Sequence, residues 1–173
     1  MKSKILQKIE NLFFENAFAE LSMDEIAANL GMKKASLYYH FPSKEMMFIE
    51  VLNYSYEKYK IFLTKIFKEE DLSKMLKSMI TFPFENKNLY SIVLQRGYCK
   101  IDSIKEFIST KVSDNQKIFS TGIGDRYGIS HETLLIFGCV IDDLSKKYCI
   151  LGCPSNIDFE NITEEIIRLF FKK

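Results

Sequence analysis

The chain has 173 residues, 47% of them hydrophobic, and a formal net charge of +1. This balance excludes a disordered chain, which would be poor in apolar residues and rich in net charge. Glycine and proline, at seven and three, are too scarce for a sandwich or barrel with its frequent turns, so long helices are expected. No stretch reaches the roughly 18 uninterrupted apolar residues of a membrane span. After Met1-Lys2-Ser3-Lys4 the apolar residues are broken by Gln7, Lys8, Glu10 and Asn11, unlike a secretory leader, and a cytoplasmic location is expected.

In chain order, Ile5, Leu6, Ile9, Leu12 and Phe13 recur at helical steps and predict an amphipathic helix from Lys4 to about Glu15, ended by Asn16 in left-handed geometry. Ser22 and Glu25 form a capping box that starts a second helix, with Asp24 adding negative charge at its positive end. Ile26, Ala27 and Leu30 are its buried stripe, and Gly31 stops it. Met32-Lys33-Lys34 makes a turn, and a short helix follows from about Ala35 to His40 or Phe41. Pro42 breaks it, because the residue before a proline is pushed away from helical angles. Ser43 then caps a long helix from Lys44 to about Phe67, with Phe48, Leu52, Tyr56, Tyr59, Leu63 and Ile66 as its inner stripe. Further helices are expected at Leu72–Phe82, Lys87–Arg96, Ile104–Phe119, His131–Leu151 and Ile162–Phe171. Pro83, Gly97, the Gly122/Gly124/Gly128 stretch and Gly152/Pro154 are the expected breaks, and Ser130 with Thr133 offers a cap. The fold class is all-α.

Two short helices joined by a tight glycine turn are what a DNA-reading helix-turn-helix requires. Ala27 is small where the helices cross, Gly31 can take positive φ, and Ile26, Leu30, Met32, Leu37 and Phe41 form a small core with Phe13 and Phe18. Lys33, Lys34, Ser36, Tyr38, Tyr39, His40 and Lys44 are left pointing outward. No acid lies between Ile26 and Lys44, so this surface is locally cationic although the whole chain is not.

The run from Ser22 to Glu45, SMDEIAANLGMKKASLYYHFPSKE, resembles the DNA-binding region of the TetR family of bacterial transcriptional regulators. Leu37-Tyr38-Tyr39-His40-Phe41 followed by Ser43-Lys44-Glu45 is its most specific part. The resemblance extends loosely to the first helix and not past about Leu52. Ala17 departs from the family's usual glycine before an aromatic, here Phe18, and Asn16 is expected to absorb that turn.

The resemblance implies a helix-turn-helix DNA-binding domain over 1–46 and a helical ligand-binding and dimerisation domain over 47–173. It implies phosphate contacts from Ser22, Tyr38 and Lys44, with His40 at the groove edge. Such contacts fix register without reading sequence. Lys34, Ala35, Ser36 and Tyr39 are the implied base readers, with Lys33 beside them, and a lysine there can donate to guanine O6 and N7. The partners so implied are a palindromic double-stranded DNA operator, a second copy of the chain and a small molecule, with the long helix as the lever between ligand and DNA. No cofactor is implied.

The residues of the second half bear on this independently. Leu134, Leu135, Ile136, Phe137, Val140, Ile141 and Leu144 put apolar groups on more than one helix face, more than a small domain hides alone, and a two-fold interface would cover them. Met75, Met79, Phe82, Phe84, Tyr90, Tyr98 and Phe119, with Cys139, are candidate lining for an apolar or aromatic ligand, because Met and aromatic side chains line adaptable cavities. Cys99, Cys139, Cys149 and Cys153 are expected as reduced thiols. His40 and His131 lack companions at metal-ligand spacing, and Asp142-Asp143 diverge on a helix, so no metal site is expected. An enzyme is disfavoured by the lack of a nucleophile–base pair, a plausible carboxylate pair or a phosphate loop. The reading is a ligand-responsive repressor acting as a homodimer. The alternative is a constitutive helix-turn-helix protein with no inducer.

Overall fold

In a computed structural model, the structure describes residues 2–87, 101–151 and 157–171, with the backbone alone at 145, 146 and 148–151. Every regular element among them is helical: α1 (Lys2–Glu15), α2 (Met23–Asn29), α3 (Lys34–His40), α4 (Lys44–Ile66), α5 (Leu72–Glu85), α6 (Asp102–Phe119), α7 (His131–Leu151) and α8 (Phe159–Phe170). This is the all-α class expected. The expected helix over 87–96 lies beyond its first residue outside the described residues, as do Tyr90, Gly97, Tyr98, Cys99, Gly152, Cys153 and Pro154, and the side chain of Cys149.

Two compact units are formed, one by Met1–Tyr59 and Asn88–Lys111, the other by Lys60–Lys87 and Val112–Lys173. In the first, Ile9 and Phe13 of α1, Ile26, Leu37 and Phe41, and Met47, Phe48, Val51 and Leu52 of α4 are fully buried in one core, which Ile104 of α6 joins. Phe18 and Leu30 pack against it partly buried, while Met32 stays half-exposed. Phe48 lies at the centre of an aromatic group, its ring centroid 4.8 Å from Phe13 and 4.8 Å from Phe18.

One charge lies within this apolar layer. Glu10 follows Leu6 by one helical turn and precedes Phe13 by one, so its side chain faces the core rather than water. The buried carboxylate accepts from the Ser55 hydroxyl at 2.6 Å and from the Lys58 ammonium at 2.6 Å. The ammonium also lies 4.5 Å from the Tyr54 ring. Burial of a carboxylate is tolerated only when it is paired and hydrogen-bonded, and both conditions are met.

In the second unit α5 packs against α7 and α8, burying Met75, Leu76, Met79, Ile80 and Phe82 together with Phe137, Ile141 and Ile166. Pro83 does not break α5 as expected: it is buried inside the last turn. At that position only one hydrogen bond is forfeited, and Asn86 closes the end by donating to the Phe82 carbonyl from both its backbone N–H and its side-chain amide, each at 3.0 Å.

Gly122 and Gly124 do not end the preceding helix either. The chain continues through a π turn at Ser120–Gly124 and a last turn at Asp125–Tyr127, and Gly128, at φ +63°, makes the break. The earlier glycines serve close packing: a Cβ on Gly122 would come within 2.2 Å of the Phe67 ring and one on Gly124 within 2.6 Å of Leu134. Arg126 donates to the carbonyls of Phe67 at 3.1 Å and Glu69 at 2.7 Å, satisfying acceptors left open past the end of α4. α8 starts at Phe159, three residues before the expected Ile162, because the Asp158 carboxylate accepts from the backbone N–H groups of Glu160 and Asn161 at 3.0 Å.

Candidate nucleic-acid interface

The α2–turn–α3 unit is assembled almost entirely by local rules. Ser22 caps α2: its hydroxyl accepts from the Glu25 N–H at 3.2 Å, while the Glu25 carboxylate accepts from the Ser22 N–H at 2.7 Å. The Ser22 backbone N–H and then its hydroxyl hold the Glu25 carboxyl below its usual range. The helix ends as expected at Gly31, with φ +64°. Its turn is closed by the Gly31 N–H on Ala28 and the Met32 N–H on Ala27. Glycine reaches this left-handed geometry without steric cost.

Within α3 only Leu37 is buried, so one side chain anchors the helix and the others are free to face out. Lys33, Lys34, Ala35, Ser36, Tyr38 and Tyr39 are exposed, Tyr39 to 87%. Ser22 is exposed on the same unit, and His40 and Lys44 are half-buried. Of the expected DNA-contacting residues, Lys34, Ala35, Ser36, Tyr38, Tyr39 and His40 lie on α3 and Lys33 precedes it, while Ser22 and Lys44 stand at the starts of α2 and α4.

Two of them have protein partners that sequence spacing does not announce. The Lys44 ammonium donates to the carbonyls of Phe18 and Leu21, both at 2.9 Å, and lies 4.3 Å from the Phe18 ring. It thus latches the loop before α2 to the start of α4, whose first turn Ser43 caps by accepting from the Met46 N–H at 3.1 Å. An ammonium has three donors, and these two carbonyls take two of them. Lys34 pairs with Asp24, its ammonium 2.7 Å from one carboxylate oxygen and 2.9 Å from the other.

The loop between α1 and α2 corrects one expectation. No residue other than glycine takes positive φ among the described residues, so Asn16 does not turn left-handed. Its side-chain amide and backbone N–H both donate to the Leu12 carbonyl, at 2.9 and 3.0 Å. The turn is made instead between Ala17 and Glu20, whose carboxylate accepts from the Ala17 N–H at 2.9 Å. Ala17 therefore makes this turn without a glycine.

The candidate ligand residues are distributed differently. Met75, Met79 and Phe82 are buried in the second unit, Phe82 stacked on Phe62 with centroids 3.9 Å apart. Phe119 is half-buried against Phe67, and Phe84 is half-buried against Phe159. Cys139 is exposed on α7, on the outer side of the helix rather than among the buried group. Among the described residues no group of three or more His, Cys, Asp or Glu side chains could hold a metal ion, and no helix is long and apolar enough to cross a membrane.

The capped α2, the glycine turn and an α3 held by one buried leucine define a helix-turn-helix protein. Residues 5–51 match the pattern described as bacterial regulatory proteins, tetR family. Over 48 residues it is 44% identical to the biofilm operon icaADBC HTH-type negative transcriptional regulator IcaR of Staphylococcus aureus, covering 28% of this chain and 26% of that protein. The match to IcaR of Staphylococcus epidermidis is 23% identical over 126 residues, 72% of this chain and 66% of that one. The chain thus spans about a quarter of the first relative and just under two thirds of the second. The fold is shared over nearly the whole length with the transcriptional regulator FadR of Bacillus subtilis in complex with stearoyl-CoA, at a TM-score of 0.78, 14% identity, and coverage of 99% of this chain and 98% of that one.

Proposed function

We propose that the chain is a transcriptional repressor that binds a palindromic operator as a homodimer and responds to a small apolar ligand. Residues 1–46 are its DNA-binding domain and residues 47–173 its ligand-binding and dimerisation domain. The observation that carries this reading is the outward face of α3, where Lys34, Ser36, Tyr38 and Tyr39 are exposed on a helix anchored by Leu37 alone. A helix so mounted can enter a major groove with its side chains unspent on the protein's own core. Repression is supported by the name of the staphylococcal relatives, negative transcriptional regulators.

Dimerisation is supported by exposed apolar side chains on two helices, Leu135 and Ile136 (59% exposed) on α7 and Leu169 (63%) on α8. Apolar groups of that size left in water are what a two-fold interface between helix pairs covers. The ligand class is supported by the buried Met75, Met79 and Phe82, flexible or aromatic and uncharged, and by the stearoyl-CoA bound to the similarly folded FadR. The operator-binding form is the one whose two α3 helices meet successive major grooves roughly 34 Å apart, and ligand favours another.

The DNA face is tested by titrating a duplex carrying the sequence upstream of the chain's own coding region with wild-type protein, Lys34→Ala and Tyr38→Ala. Each substitution is expected to weaken binding about tenfold, as the loss of one base or phosphate contact does. Full affinity in both variants overturns the assignment of this face.

A further inference from the structure

Asp24 stands on the candidate DNA face, where its charge suits the positive end of α2. It is the second residue of α2 and is exposed, and a carboxylate close to phosphates repels them. Its neighbour Glu25 is committed to the capping box with Ser22. Asp24 instead engages Lys34, the first residue of α3, through both carboxylate oxygens at 2.7 and 2.9 Å. The hydrogen bond from Lys34 to Asp24, reinforced by their opposite charges, holds the Lys34 pKa above its ordinary value. Both side chains are more than half exposed, and exposed ion pairs contribute little to stability, so the pair is poorly explained by folding.

A free lysine is a compact charge on a flexible stem and seeks phosphates, which are the same at every sequence. Each phosphate neutralised releases counterions and adds sequence-independent affinity. When both oxygens of Asp24 hold the ammonium, its charge is offset and its position is narrowed. The donor capacity left over suits the neutral acceptors O6 and N7 of guanine better than a phosphate.

Given that α3 reads DNA as proposed above, we infer that Asp24 is a specificity-determining residue of the interface. It acts through Lys34, withholding that lysine from phosphates and keeping it at a base edge. Asp24 is therefore a positioning residue, and it lowers total affinity while raising discrimination between sequences.

The test uses the full chain as wild type, Asp24→Asn, Lys34→Ala and the double variant. Wild-type protein first selects from a duplex library randomised over two helical turns. The selected duplex and a scrambled one are then titrated across a range of salt. Asp24→Asn is expected to bind the scrambled duplex about fivefold tighter at low salt, with the slope of log affinity against log salt steeper by about one. The ratio of selected to scrambled affinity is expected to fall by a similar factor. In the Lys34→Ala background the same substitution is expected to change neither quantity more than about twofold, because additivity breaks down between residues in contact. An equal gain on both duplexes, or the same gain without Lys34, overturns the inference, since the carboxylate then merely repels phosphate. Failure of the wild-type protein to enrich any sequence removes the DNA-binding reading itself, which is a distinguishable result.

Discussion

Replacing Phe48 with alanine is expected to destabilise the first unit by about 3–5 kcal/mol, a large fraction of the stability of a small domain. Phe48 is fully buried, and its ring packs edge-on to Phe13 and tilted against Phe18, each centroid 4.8 Å away. Truncation removes the transfer energy of a phenyl group and leaves a cavity beside the Phe13 and Phe18 rings. The consequence reaches the interface, because Phe18 is also the ring beneath the Lys44 ammonium and its carbonyl accepts from it. Loosening Phe18 therefore loosens the latch that ties the loop before α2 to α4. Urea denaturation followed by circular dichroism checks this: the midpoint should fall sharply with the slope unchanged. Phe14→Ala, on the exposed side of α1, is the control and should cost under about 1 kcal/mol.

The second large effect is electrostatic. Lys58→Met is expected to cost about 2–3 kcal/mol, because it leaves the Glu10 carboxylate buried with the Ser55 hydroxyl as its one remaining partner of the two. A fully buried pair would lose more, but Lys58 is 39% exposed and its removal lets some water approach. Adding Glu10→Gln to Lys58→Met should restore at least half of the loss, since a neutral amide can still accept from Ser55 without a buried charge. The same denaturation series measures both. A single variant as stable as the double one would show that the carboxylate is not held by charge pairing.

These two features also mark where sequence reading succeeds and where it stops. The helix-turn-helix was legible because its determinants are local: a cap at Ser22 answered by Glu25 three residues on, a glycine at 31 and a proline at 42. The outward set on α3 followed from the same local frame, with Leu37 the one inward position. Glu10 was not legible in this way, since its partners Ser55 and Lys58 lie 45 and 48 residues away. A signal was nevertheless present in its place between Leu6 and Phe13 on the apolar stripe of α1.

The pairing of Lys34 with Asp24 spans ten residues and a turn, so neither spacing nor charge counting points to it. Pro83 and the glycines at 122 and 124 depart from their local signals for a related reason. Each was weighed by its backbone tendency, whereas burial of Pro83 in the last turn of α5 and the close approach of Phe67 and Leu134 decide those positions. Tertiary packing overrides local preference most easily where helices cross closely.

The outward face of α3 as the surface that meets DNA is tested most directly by amide hydrogen exchange with and without the duplex selected by the wild-type protein. The amides from Lys33 to Phe41 should exchange markedly more slowly in the complex, with the loop around Ser22 and the start of α4 at Lys44 protected alongside them. Unchanged exchange across α3, with protection appearing elsewhere on binding, would contradict it.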